Sequence, residues 1–266
     1  MSVPSPDISP LAAPVALAPP VDDGRQFVGG RRVRLGDVGR DGRLRFDALA
    51  RYAQDVSDDD TTDAGLDPEP GWVVRSTVID ELTPAELAEE LTFTTFCSGI
   101  GRSWAERRLS VTGASGARYE IATLWICVNT GTGAPSRLTD QFLKIYGPAA
   151  AERRVSARLV NPKPPSEVDG DSLDIERWPL RAVDFDIYGH VNNAAYWAVV
   201  EQGLGPAPGG PRRARLDYGA GIEPTDSVGI ARSANAEGSG LWWLNTDEDA
   251  PPAASAWVQP IPADLY

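Results

Sequence analysis

A chain of 266 residues that is 42% apolar and 24% charged has the material for one large buried core or two small ones. Its 38 acidic against 25 basic residues leave a formal charge of -13, which argues against broad binding to nucleic acid or to an anionic membrane. The cleanest apolar runs, Ala122–Val128 and Ala194–Val200, fall far short of the roughly 18 residues that cross a bilayer, so no membrane span is expected.

Residues 1–26 are rich in Pro and Ala, carry no apolar period and lack the basic start of a signal peptide. They read as a disordered leader on a cytoplasmic protein. Order is expected from Phe27. Arg31–Leu35 reads as a short strand and Gly36–Gly42 as a polar loop. Phe46, Leu49, Ala50, Ala53 and Val56 then make one helical stripe. Asp47 or its neighbour is the expected cap, and the acidic run Asp58–Asp60 is expected to end the helix in solvent.

Four strand-like stretches follow: Trp72–Ile79, Leu91–Cys97, Ser103–Val111 and Arg118–Val128. Short Gly/Ser/Asn turns between the later ones point to an antiparallel meander. Cys97 and Cys127 fall in two of these strands with no second cysteine or histidine at ligand spacing. Buried reduced thiols are expected, with no metal site. Residues 147–169, rich in Pro, Asp and Arg, read as a linker.

The pattern then restarts. Trp178–Ala182 is strand-like, Asp184–Gly189 is a polar loop, and Ala194–Gln202 is a helix apolar on nearly every face. Strands are expected at Arg213–Tyr218, Ser227–Arg232, Leu241–Asn245 and Ala254–Gln259. Asp37 and Asp184, Gly42 and Gly189, and Ala48 and Ala195 recur at one constant spacing. The order of strand, loop, helix and meander therefore occurs twice, as an internal duplication. An all-apolar helix must be enclosed, here by a sheet curled around it. Two such sheets hide their edges by joining side by side. The expected units are 27–146 and 170–266.

Chemistry concentrates in one loop. The single histidine, His190, lies in the run Val183 to Trp197, V-D-F-D-I-Y-G-H-V-N-N-A-A-Y-W. Imidazole exchanges protons near neutral pH. Asp186 could orient it, Gly189 lets backbone approach a ligand, and free N–H groups at the next helix start could hold a developing oxyanion. The bland alternative makes His190 a surface or core residue and Asn192 and Asn193 simple helix caps. The arginine pairs 107–108, 153–154 and 212–213 read as solvated faces, or as a docking surface for an acidic carrier. Trp242-Trp243 reads as core plus one exposed ring. The chain has no phosphate-binding loop and no serine nucleophile elbow.

The loop resembles the D-x-N-x-H-V-N-N motif of the acyl-acyl carrier protein thioesterases, here Asp186-Ile-Tyr188-Gly-His190-Val-Asn192-Asn193. Similar stretches are RLRFDALARYAQD (43–55), WVVRSTV (72–78), CSGIGRSWAERR (97–108), LWICVNTGTG (124–133) and DYGAGIEP (217–224). The resemblance covers about residues 30–260. It implies an α+β fold of two tandem hot-dogs, with the catalytic loop in the second half and an acyl pocket in the first. It also implies hydrolysis of a fatty acyl thioester of acyl carrier protein or coenzyme A, without cofactor, by a monomer or homodimer. Asp186, Tyr188 and His190 would be catalytic; Gly189, Asn192, Asn193 and Trp197 would bind substrate. Two positions depart from the pattern: Tyr188 replaces the motif asparagine, and the acid of the plant members' downstream E-C falls on Gly221, with Glu223 two residues on. These departures support a second reading, a catalytically silent module that binds acyl chains or their carrier. The first half, with Gly39, Asp41 and Arg43 at the matching positions, has no histidine, so one active loop per chain is expected.

Overall fold

The computed structural model describes residues 13–165, 174–204, 210–235, 237–247, 250–262 and 264–266. The expected leader up to residue 12 and the linker from 166 to 169 lie outside them. In the first half, β1 (Phe27–Arg32) precedes α1 (Phe46–Asp63) and the strands β2 (Gly71–Thr83), β3 (Glu90–Ile100), β4 (Trp104–Gly113) and β5 (Arg118–Val128). Helix α2 (Asp140–Ala150) closes that half. The second half runs β6 (Ile175–Arg177), α3 (Asn193–Leu204), β7 (Arg212–Tyr218), β8 (Val228–Ala234), β9 (Ser239–Asn245) and β10 (Ala254–Pro260).

Among the described residues the strands form one antiparallel sheet in the order β1-β3-β4-β5-β2-β7-β10-β9-β8-β6. Read outward from the β2–β7 seam, each side repeats the other. This is the tandem hot-dog, with two sheets merged edge to edge. Strand alternation sends Phe93, Ile121, Leu216 and Trp243 to the inner face, where they meet Phe46, Leu49 and Val56 of α1 and Trp197 and Val200 of α3. No helix among the described residues is long and apolar enough to cross a membrane.

The seam is held by charge as well as by backbone. Register sets Asp80 opposite Arg213 and Glu81 opposite Arg212. The Arg213 guanidinium donates to both Asp80 oxygens at 2.6 Å, and Arg212 Nε donates to Glu81 Oε1 at 2.8 Å. Likewise Arg108 Nη2 donates to Glu120 at 2.7 Å. The pairs 107–108 and 212–213 are therefore internal clamps, not the solvated or docking faces their sequence suggested. Asp80 is 0% exposed, so removing one partner would strand a buried charge, a loss of about 3–5 kcal/mol.

Other expectations change with the same packing. From residue 13 the leader is placed: Arg213 donates to the Val15 carbonyl at 2.8 Å, and Arg108 to the Ala18 carbonyl at 3.1 Å. The acidic run does not end α1 in solvent. Asp60 is 1% exposed and accepts from Arg25, Arg107 and the Tyr146 hydroxyl. Those cations offset the unfavourable position of acids near a helix C-terminus. Asp47 does not cap α1; it grips Arg45 and Arg51. Burial opposes its charge, but these hydrogen bonds outweigh burial and hold its carboxyl below the ordinary value.

Helix α2 crosses the expected boundary at 146. Thr139 caps it, accepting from the Phe142 N–H at 3.1 Å, and Phe142 and Tyr146 seal the inner face beyond the end of α1. Successive strand residues face opposite ways, so both tryptophans of the 242–243 pair are buried. Trp243 enters the inner core, while Trp242 lies with Trp257 on the outer face and donates to the Pro162 carbonyl at 2.8 Å. Both cysteines are free and buried, as expected.

Candidate active site

The loop before α3 is a closed turn. Asn192 N–H donates to the Asp184 carbonyl at 2.7 Å, Asp186 N–H to the His190 carbonyl at 2.9 Å, and Gly189 N–H to the Asp186 carbonyl at 3.1 Å. The reversal needs φ of 82° at Gly189, a conformation open to glycine. Asp184 is buried and bound by Arg181. The Asp186 carboxylate accepts the backbone N–H groups of Tyr188 at 2.9 Å and His190 at 3.3 Å. It therefore shapes the loop and forms no bond to the imidazole it was expected to orient. Asn192 Oδ1 accepts from the Ala194 N–H at 2.9 Å and caps α3, as the bland reading had it.

His190 is exposed at this turn and rests against Gly221. A Cβ at Gly221 would lie 2.7 Å from the imidazole Cδ2 and 3.1 Å from Nε2. Glycine there gives the ring its room, and the position of the plant members' acid is taken up by the imidazole's own approach. Glu223 is exposed, and its N–H donates to Asp226 at 2.8 Å. Among the described residues no carboxylate bonds the imidazole. Tyr188 and Ile187 crown the loop at 79% and 91% exposure.

Behind the loop, Asn193 and Ala194 of α3 line a cavity of about 20 Å³ with Trp197, Gln54 and Trp125. Trp197 is buried against Phe46, ring centroids 5.7 Å apart. Gln54, Ser57 and Trp125 also line a second cavity of about 180 Å³, continued by Leu66, Trp72 and Phe142. The two cavities share Gln54, Ser57 and Trp125, so the smaller one at the head of α3 borders the larger one in the first half. Cys97 is in the wall of the larger one, where burial pushes the thiol up to about 11, so it is protonated and no nucleophile near neutral pH. The resemblance put an acyl pocket in the first half, but its lining residues could not be read locally, because α1, α2 and β5 meet only in the fold.

A model of the acyl-ACP thioesterase N-terminal domain (ACP, acyl carrier protein) matches residues 25–146, and one of the C-terminal domain matches residues 169–249. The chain belongs to the acyl-ACP thioesterase family. As a member it is a thioester hydrolase, in agreement with the resemblance seen in the loop. The uncharacterized protein Rv2001 of Mycobacterium tuberculosis is 34% identical over 221 residues, 81% of this chain and 86% of that protein. A Lactobacillus plantarum structure provisionally described as an oleoyl thioesterase superposes with a TM-score of 0.70 at 19% identity, over 91% of this chain and 98% of that one. An acyl-ACP thioesterase structure from Bacteroides thetaiotaomicron gives 0.68 at 16% identity, over 88% and 97%. At these identities the structures bear on fold alone.

Proposed function

We propose that this thioesterase releases free fatty acid from acyl thioesters of acyl carrier protein or coenzyme A, in the cytoplasm, with His190 as general base. The reading is carried by the single imidazole, three residues before the Asn193 that heads α3 and lines the smaller cavity. It is carried too by the wall that cavity shares with the larger one, which together mark out an acyl route. The acyl chain lies in that route, its end in the larger cavity between α1, α2 and the sheet. A cavity of ~150 Å³ holds a benzene molecule, so about 180 Å³ accommodates part of a hydrocarbon chain.

Water adds to the carbonyl carbon while His190 takes its proton, and the carbonyl π pair moves onto oxygen. The Asn193 N–H at the start of α3, without an acceptor among the described residues, serves that oxygen. The pair then returns, the C–S bond breaks, and the thiolate leaves with the proton from His190. Asp186 serves by holding the His190 backbone in place. Tyr188 stands exposed on the turn where the family motif has asparagine, with Gly189 setting the turn, Asn192 capping α3, and Asn193 and Trp197 lining the way in. The test is a panel of acyl-ACP and acyl-CoA substrates assayed for free acid. Release of acid that His190→Ala abolishes is expected. Binding of acyl chains with no release would instead establish the silent module.

A further inference from the structure

The duplication sets the head of each central helix beside the body of the other. At the head of α1, the Phe46 N–H donates to Glu201 Oε2 of α3 at 3.1 Å. A carboxylate oxygen from the opposite half thus fills the place where a helix start binds negative charge. Phe46 corresponds to Asn193, and Glu201 to Gln54, at the spacing that relates Asp37 to Asp184. At the head of α3, then, Gln54 is the cross-half partner.

Gln54 differs from Glu201 in chemistry and in surroundings. It is half-buried, it lines both cavities, and it shares the smaller one with Asn193. Among the described residues its amide makes no hydrogen bond, and the Asn193 N–H has no acceptor. In the first half the corresponding groups satisfy each other; here both are left for a ligand. Glu201 shows where that ligand's oxygen would sit, since an oxygen already occupies the equivalent place beside Phe46.

We infer that Gln54 is a catalytic residue supplied by the first half, donating from Nε2 to the thioester carbonyl oxygen together with the Asn193 N–H. As water adds, both donors meet the developing oxyanion; as the C–S bond breaks, they release the carbonyl. A carboxylate in place of Gln54 would accept the Asn193 N–H and repel the oxyanion. That is the arrangement of the first half, where Arg43 also replaces the imidazole. The inference rests on the hydrolase reading above.

The test uses the full chain and kinetics with a medium-chain acyl-CoA, followed by thiol release. Gln54→Met keeps the shape without a donor, and Gln54→Glu restores the first-half arrangement. Removing one oxyanion donor costs about 100- to 1,000-fold in kcat, so both variants should fall by that order. KM, affinity for a non-hydrolysable thioether analogue and Tm should be nearly unchanged. A Gln54→Met enzyme with wild-type kcat, or with its loss confined to KM, overturns the inference while the hydrolase reading stands. A wild-type chain that releases no acid overturns both.

Discussion

The chain makes the same turn twice, before α1 and before α3. In the first, Gly39 N–H donates to the Arg43 carbonyl at 2.8 Å and Gly42 N–H to the Gly39 carbonyl at 3.0 Å, the bonds made by Asp186 and Gly189 in the second. Gly42 and Gly189 have φ of 80° and 82°. Leu44 N–H reaches the Ala85 carbonyl as Val191 N–H reaches that of Ile222. The backbone is thus the same, and the difference is in side chains. One turn carries Arg40, Asp41 and Arg43, with Phe46 and Glu201 closing the helix head. The other carries Ile187, Tyr188 and His190, with Asn193 and Gln54 leaving it open. A shared scaffold retains its shape through main-chain bonds, while activity depends on the few side chains around a helix start.

The sharpest break of this comparison is His190→Ala against Arg43→Ala. The first should lower kcat by about 100- to 10,000-fold, the worth of a general base, with little change in Tm. The second should leave turnover as it is. Equal losses would mean that the turns are not functionally distinct. Next comes Gly221→Ala, whose Cβ would press on the imidazole; Pro84 holds the matching place in the first half. A base displaced by about 1 Å should cost on the order of 100-fold in kcat, with Tm little affected. If turnover survives, His190 works from another position.

Asn192→Ala removes the cap of α3 and should lower stability by about 1 kcal/mol, read as a small drop in Tm, whereas Asn192→Asp should restore the cap. Tyr188→Phe should leave kcat nearly unchanged, because the exposed phenol has no partner among the described residues. A large loss would give the hydroxyl a part in positioning water. The smallest effect concerns pH. Burial raises the Glu201 carboxyl above its ordinary 4.5. A raised carboxyl favours the fold at low pH, and this contribution fades as pH climbs through the folded value. Glu201→Gln keeps an acceptor for Phe46 N–H but cannot ionise. Its Tm should therefore decline less than that of wild type above about pH 4.5. Parallel Tm profiles would show that Glu201 is no more protonated in the fold than outside it.

Much of this was legible in the chain. Arg118–Val128 is a strand over the expected residues because its β-branched and aromatic run is buried almost continuously, on both faces of the sheet. The repeat of Asp37 and Gly42 at Asp184 and Gly189 marked the two turns. What failed was whatever depends on distant partners. Arg212 and Arg213 look solvated until β7 lies against β2 and meets Asp80 and Glu81. Asp60 reads as a solvent-facing acid because Arg25 and Arg107 are far along the chain. Helix α2 was hidden by Gly147 and Pro148, although the Thr139 cap and the spacing of Phe142 and Tyr146 were there to be read. The apposition of Gly221 and His190 leaves no trace in either local sequence.

The seam also bears on how the chain is made. A ribosome delivers the first half while β7 is still unborn, and through that interval the outer side of β2 is an open edge. Exposed edges recruit other strands, and inward-pointing charge is one way to discourage them. Asp80 and Glu81 place two bare carboxylates there, which repel a second copy of the same edge and wait for Arg212 and Arg213. Exchanging these four residues for well-packed apolar ones could leave the finished fold as stable or more so. The harm would appear earlier, as nascent chains that associate through β2 and as a lower yield of soluble protein.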